Sequence, residues 1–202
     1  LSGHNVDIAL YDDRTDTRLI PYLEYLSDKA TILKVPQEHK GGPWYAYYHG
    51  GKENYLKYDC VITCESDADI TYDTTAVDKL IKVFLEPLGD KKTVASVSTM
   101  YKWNDAFVYP THPHWHTDGD GTDLKKDIDG IGLVTHTHAV PFVFSLWNPE
   151  AFVRIHEDFP KYIFDGVFGT FLGSLGYRHL RLLNCAVGHV DAGRKSTRFI
   201  DF

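Results

Sequence analysis

The stretch Val61-Ile62-Thr63-Cys64-Glu65-Ser66-Asp67-Ala68-Asp69 decides how this chain is read. Its first half is an apolar run of strand length, and its second half turns acidic. Alternate residues of an extended segment point the same way, so Asp67 and Asp69 can present both carboxylates to one point. That point lies just beyond the carboxyl end of a buried strand, where open α/β sheets place their ligands. Two hard oxygen donors there suit Mg²⁺ or Mn²⁺, and such ions commonly arrive with a phosphate. Two more Asp-x-Asp pairs exist, Asp118/Asp120 and Asp127/Asp129, but they lie in polar, Gly-rich sequence and follow no apolar run. The purely structural alternative for Asp67 and Asp69 is an acidic corner between strand and loop.

Outward from this stretch, strands alternate with helices. Upstream, Val6–Tyr11 reads as a short strand ending at Asp12-Asp13, and Thr31–Val35 as a second. Between them Asp16 or Thr17 caps a helix that carries Leu19, Tyr22, Leu23 and Leu26 at helical spacing. The aromatic-rich segment 43–57 is helical in part. Downstream, Thr74 or Thr75 opens an amphipathic helix with Val77, Leu80, Ile81, Phe84, Leu85 and Leu88 on one face. A strand follows over Thr93–Met100. No regular structure is expected over 103–138, a long loop region rich in His, Asp, Gly and Pro. A strand over Ala139–Trp147 comes next, and Asn148-Pro149-Glu150 then caps and starts a helix reaching about Glu157. Asp165–Leu175 is another helix, stopped by Gly176, and Arg178–Val187 is a last strand running into Gly188-His189. The expected fold class is α/β, one domain over 1–202 with a mostly parallel central sheet flanked by helices.

Composition supports one domain with a substantial core, since the chain has 202 residues, 43% of them hydrophobic and 24% charged. A net charge of −7 argues against a nucleic-acid partner, which calls for a basic surface. It also means that a bound diphosphate needs local positive charge, which a divalent ion supplies. No apolar run reaches the length of a transmembrane segment. Cys60, Cys64 and Cys185 lie in apolar, strand-like contexts and read as buried thiols of a reducing compartment, so a cytoplasmic location is expected.

Taken in order, these motifs resemble the nucleotide-diphospho-sugar glycosyltransferases of the GT-A fold, a Rossmann-like architecture, and most of all the family 2-like group. Tyr11-Asp12-Asp13-Arg14-Thr15-Asp16-Thr17 looks like that group's strand ending in Asp-Asp-Gly-Ser-Thr-Asp, and Asp67-Ala68-Asp69 stands where the group has its metal-binding Asp-x-Asp. Asp165, on a helix ending in Leu175-Gly176-Tyr177-Arg178, stands where the group has a Glu-Asp pair before a helix ending in Gly-Tyr. His189 matches a C-terminal histidine of the metal site. The resemblance covers about Val6 to His189, and the chain's general character is also similar to glycosyltransferase domains of large algal viruses (chloroviruses), for which the compartment would be the host cytoplasm. Three departures stand out. The group's first strand is missing, which implies a longer, multidomain chain or a trimmed fold. Phe164 replaces the expected glutamate. The Gln-x-x-Arg-Trp motif of processive polymer synthases is absent from the sequence.

The resemblance implies a function: transfer of a hexose from a UDP-sugar donor to a hydroxyl of a glycan acceptor, with inversion. Asp67, Asp69 and His189 would hold Mn²⁺ or Mg²⁺ against the diphosphate, His189 favouring Mn²⁺. Asp12 or Asp13 would accept from the uracil N3–H, the alternative being a cap on the following helix. Asp165 would be the general base, or else only a helix cap. Arg194 and Lys195, in the basic segment within 190–202, would contact the diphosphate, and Gly130 and Gly132 would belong to a glycine loop near the sugar. His112, His114, His116, His136 and His138 with Trp103 and Trp115 offer either an acceptor platform or a separate metal site. The sequence leaves two rivals open, a sugar nucleotidyltransferase and a non-enzymatic, metal-dependent carbohydrate-binding module built on the 112–138 loop.

Overall fold

The computed structural model describes residues 4–12, 17–34, 47, 52–65, 68–86, 93–103, 106–108, 125–137, 142–159 and 165–189. In chain order the elements are β1 (Ala9–Asp12), a 3₁₀ turn at Thr17–Leu19, α1 (Ile20–Leu26), β2 (Thr31–Lys34), α2 (Lys52–Tyr55) and β3 (Val61–Cys64). After these come β4 (Ala68–Asp69), a 3₁₀ turn at Ile70–Tyr72, α3 (Ala76–Leu85), β5 (Val94–Trp103), β6 (Ala106–Val108), β7 (Lys125–Ile128) and β8 (Gly132–His136). The chain continues with β9 (Phe144–Trp147), α4 (Pro149–Asp158), α5 (Asp165–Ser174) and β10 (Arg178–His189).

The main sheet overturns the expected mostly parallel arrangement. Its strands lie in the order β3-β9-β5-β10-β8-β7, with β4 on β10 and β6 on β5. Among the described strands only β5 and β10 pair in parallel there; β9 runs antiparallel to both β3 and β5, and the β4, β6, β7 and β8 pairings are antiparallel too. β1 and β2 pair in parallel, but as a separate two-stranded sheet. The fold is therefore mixed rather than Rossmann-like. A physical reason lies in β9, whose four residues Phe144–Trp147 are all buried. A strand covered on both faces loses the alternation that marks an antiparallel edge, so its sequence carries no sign of its direction.

Pleat alternation divides the core between the two faces of the sheet. Val97, Phe144, Leu146, Leu180, Leu182 and Val187 pack with Ala76, Leu80 and Val83 of α3. Ala95 and Trp147 point the other way, onto Ala151, Phe152 and Ile155 of α4 and Phe168 and Leu172 of α5. The flanking helices that the sequence predicts are thus present on both sides.

Local signals explain where these elements begin and end. The Asn148 side chain accepts from the Glu150 and Ala151 amides, so the cap read from Asn148-Pro149-Glu150 operates as expected. Gly176, at φ 87°, occupies the left-handed position that closes α5. The segment 103–138 is more regular than expected, because β5 extends to Trp103 and β6, β7 and β8 lie within it. Gly130 and Gly132 belong to the tight β7–β8 hairpin, and Lys82 of α3 donates to the Asp129 carbonyl of that turn at 2.8 Å. α1 starts without a side-chain cap, after Leu19. Of the three free thiols only Cys185 is buried; Cys60 is half-buried and Cys64, ending β3, is exposed.

His156 anchors α4 in an aromatic cluster of Phe152, Tyr47 and Tyr55. Its Nδ1–H donates to the Phe152 carbonyl. Burial disfavours the imidazolium more than this bond favours it, and brings the pKa down to about 4 from 6.5. Near pH 7 the ring is neutral folded or unfolded, and as pH falls below 6.5 the unfolded chain takes up the proton first. Stability should therefore drop between pH 6.5 and about 4, by about 3 kcal/mol at most. Urea midpoints at pH 7 and pH 4.5 should differ less in His156→Phe than in the parent, and an equal drop in both proteins would contradict this account.

Candidate functional site

β3, β5 and β10 all run in the same direction, because β9 is antiparallel to the first two and β10 is parallel to β5. Their carboxyl ends therefore share one edge of the sheet, and the acidic stretch leaves β3 at that edge. After Cys64 and Glu65 the chain re-enters the sheet as β4, which pairs with the end of β10 in the register Asp69↔Gly188 and Ala68↔His189. Asp69 is thus the cross-strand partner of Gly188, whereas His189 pairs with Ala68, an alternate position that a regular ladder directs to its other face, so the two expected metal ligands are not brought together. The His189 ring is not among the described side chains.

Asp69 begins the turn that follows. Its Oδ1 accepts from the Thr71 amide at 2.9 Å and from the Thr71 hydroxyl at 2.6 Å. These two bonds, the hydroxyl's first, hold the carboxyl below its usual range. No other described residue bonds to the Asp69 side chain.

The same arrangement recurs four residues on. Asp73 Oδ1 accepts from the Thr75 amide at 3.0 Å and the Thr75 hydroxyl at 2.6 Å, which orders the start of α3. Its Oδ2 takes Lys79 at 2.6 Å, in an ion pair with side chains only 18% and 24% exposed. The Cys185 thiol also donates to it. Burial alone would raise the Asp73 pKa, but the bonds from Lys79, Thr75 and Cys185 outweigh it and bring the value down to about 2. In return, burial and the neighbouring Asp73 push the Cys185 thiol up to about 12, so that it stays a neutral donor.

Glycine at position 188 permits the close approach of β4. A Cβ there would lie 2.7 Å from the Tyr72 ring and 2.9 Å from the Asp69 Cβ, closer than such atoms pack. Thr71, Asp73, Lys79 and Gly188 were not singled out in the sequence. The available signal was the repeated Asp-x-Thr of Asp69-Ile70-Thr71 and Asp73-Thr74-Thr75, which is turn chemistry.

The remaining expected site residues are not drawn together by the described structure. Asp12 ends β1 beside Lys34, in the separate two-stranded sheet rather than in the sheet that carries Asp69. Asp165 is the first residue of α5, and its side chain lies outside the described set. Asp13, Asp67, Arg194 and Lys195 lie outside the described residues, as do His112, His114, Trp115, His116 and His138. Among the described residues no three His, Cys, Asp or Glu side chains cluster in a way that could hold a metal ion. No helix among them is long and apolar enough to cross a membrane.

A groove of about 370 Å³, lined by Lys52, Leu56, Arg154, Leu175 and Tyr177, adjoins the start of β10. Asp69 pairs near the other end of that twelve-residue strand, roughly 30 Å away at about 3.3 Å per residue. The groove is therefore no part of the Asp69 site. No protein-family model matches this sequence, and no curated protein matches it.

Because its folded pKa is depressed, Asp73 contributes stability that is fully present above the ordinary carboxyl value near 3.8 and is lost as pH falls towards about 2. Asp73→Asn should be less stable than the parent at pH 6, and the gap should narrow as pH is lowered from 4 to 2. Urea denaturation of both proteins across that range checks this, and a constant gap would count against the ion pair as its source.

Proposed function

We propose that this chain is a metal-dependent glycosyltransferase that moves a hexose from a UDP-sugar to a hydroxyl of a glycan acceptor, with inversion. The observation that carries the reading is the placement of Asp69, a carboxylate held by Thr71, at the shared carboxyl edge of three codirectional strands. Asp69 with Asp67 would supply the oxygens that a hard divalent ion prefers, and His189 would add an imidazole nitrogen only where the end of β10 departs from regular pleat alternation. Bound there, Mn²⁺ or Mg²⁺ would act as a Lewis acid that stabilises negative charge on the leaving diphosphate.

The chain's own residues divide the remaining work. Thr71 fixes the Asp69 carboxylate, so little is lost in orienting it when a ligand arrives. Asp165, at the head of α5, would take the proton from the acceptor hydroxyl while that oxygen bonds to the anomeric carbon. The bond from the anomeric carbon to the diphosphate oxygen breaks on the opposite face, and UDP leaves with the electron pair. A carboxylate at a helix start is held ionised by the helix dipole, which suits a base. Arg194 and Lys195 would pair with the diphosphate, and Asp12 or Asp13 would accept from the uracil N3–H.

The test is UDP release from a panel of UDP-sugars with Mn²⁺, alongside thermal shift with UDP, with and without the ion. The expected outcome is turnover of at least one donor and stabilisation by UDP and Mn²⁺ together, both lost in Asp69→Ala. Metal stabilisation that survives Asp69→Ala, with no response to UDP, would overturn the assignment in favour of a metal-dependent carbohydrate-binding protein.

A further inference from the structure

The groove beside the start of β10 does not stand alone. A second hollow, of about 170 Å³ and lined by Tyr47, Tyr55 and His156, adjoins it. Lys52, Val153 and Glu157 line both, so the two form one trough along α4. The Lys52–Glu157 ion pair, at 2.8 Å, lies where they meet. Tyrosines stand in both lobes, Tyr177 in the larger and Tyr47 and Tyr55 in the smaller.

These aromatic walls are held in place by the fold. Leu175 and Tyr177 flank Gly176, and the turn they form is closed by bonds from the Gly176 amide to the Gly173 carbonyl and from the Tyr177 amide to the Leu172 carbonyl, each 3.0 Å. In the other lobe the Tyr55 hydroxyl donates to the Tyr47 carbonyl at 2.7 Å, and its ring packs edge-on against Phe152 of α4. Little ordering is left for a ligand to impose, which favours binding.

The chemistry of the lining narrows the ligand. Lys52 and Arg154 are matched by Glu150 and Glu157, Arg154 also pairs with Asp158, and the His156 ring is neutral near pH 7. A lining without net charge gives no pull on a nucleotide, a phosphate or another anion. A wholly apolar ligand fails as well, since it would bury these charged groups without partners. The walls come from α2, α4 and a turn, so no strand edge is offered to the main chain of a peptide. What remains is a neutral ligand that carries donors, acceptors and apolar faces together and repeats them along its length.

We propose that this trough binds a neutral oligosaccharide. The apolar faces of its sugar rings lie on Tyr177 and Tyr55. Its hydroxyls donate to Glu150 and Glu157 and accept from Lys52 and Arg154. The inference does not rest on the Asp69 site, which stands near the other end of β10. Combined with the proposed transfer reaction, it makes the trough a docking subsite for the far part of a long acceptor chain, away from the bond that forms.

The test is titration of the full chain with neutral hexasaccharides of glucose, mannose, galactose and N-acetylglucosamine, read from amide chemical shifts in nuclear magnetic resonance. Inorganic phosphate is the charged control, and near-ultraviolet circular dichroism reports the fold of each variant. At least one hexasaccharide should shift the amides of α4 and of Tyr177, while phosphate leaves them in place. Its Kd should rise about 5-fold or more in Tyr177→Ala and in Lys52→Ala, and stay unchanged in Asp69→Ala. Absence of binding by all four sugars, a shift of the α4 amides by phosphate, or unchanged affinity in folded Tyr177→Ala and Lys52→Ala overturns the inference. If Tyr177→Ala does not fold, Lys52→Ala decides, since that side chain is 58% exposed. Loss of oligosaccharide binding in a folded Asp69→Ala places the sugar at the Asp69 edge, which overturns the trough as its site while leaving the transfer reading in place. Binding in the trough without turnover of any UDP-sugar upholds the inference and counts against the transferase alone.

Discussion

A buried strand must find partners for its backbone groups on both edges, and that constraint on β10 organises the rest of the molecule. One edge of β10 is taken by β5, in parallel, with a register shift between Arg181 and Ala186. The other edge is shared. β8 covers Leu180 to Leu182, and β4 covers Gly188 and His189. The stretch between them brings Asn184 against Gly132 and Cys185 against Asp73. The acidic segment after β3 thus completes the hydrogen bonding of β10, and this is what fixes Asp69 in space.

The same strand carries polar groups into the core. Arg181, buried, donates to the Ser98 hydroxyl at 3.5 Å, and the Ser96 hydroxyl bonds the His179 ring at 2.8 Å. Trp147 donates its indole N–H to Thr63, which in turn donates to the Ser145 carbonyl. These bonds link β10 to β5 and β3 to β9 across the hidden face, at positions where an unpaired group would cost more than a lost contact. The Ser96–His179 pair has the composition of a nucleophile and base, but both residues are almost wholly buried, so it serves the sheet rather than chemistry.

Sequence reading succeeded where the signal was local. The Asn148 cap and the stop at Gly176 each depend on residues within one or two turns of each other, and α3 buries Leu80 as expected, although Leu85 is exposed and Ala76 and Val83 join the buried face instead. It failed where the answer lay in a partner strand. Ala139–Trp147 read as a strand and β9 is one, but nothing in Phe144-Ser145-Leu146-Trp147 says that it runs against β3 and β5. Similarly, the polar composition of 103–138 hid the β7–β8 hairpin, whose Ile128, Ile131 and Val134 reach the core while the turn between them stays exposed.

By itself the sequence determined that an apolar run of strand length passes into an acidic segment, that amphipathic helices accompany the strands, and that the chain is acidic overall. Those features follow from side-chain type and spacing, which act over a few residues. Only the tertiary structure decided that the sheet is mixed, that β4 doubles back onto β10, and that Asp73 is bonded by Thr75, Lys79 and Cys185 while the Asp69 side chain is bonded by Thr71. Strand direction and the fate of a carboxylate's second oxygen depend on groups such as Gly188, Lys79 and Cys185 that are distant along the chain or carry no mark of their role. Their effect arises only when backbone pairing brings them within bonding distance.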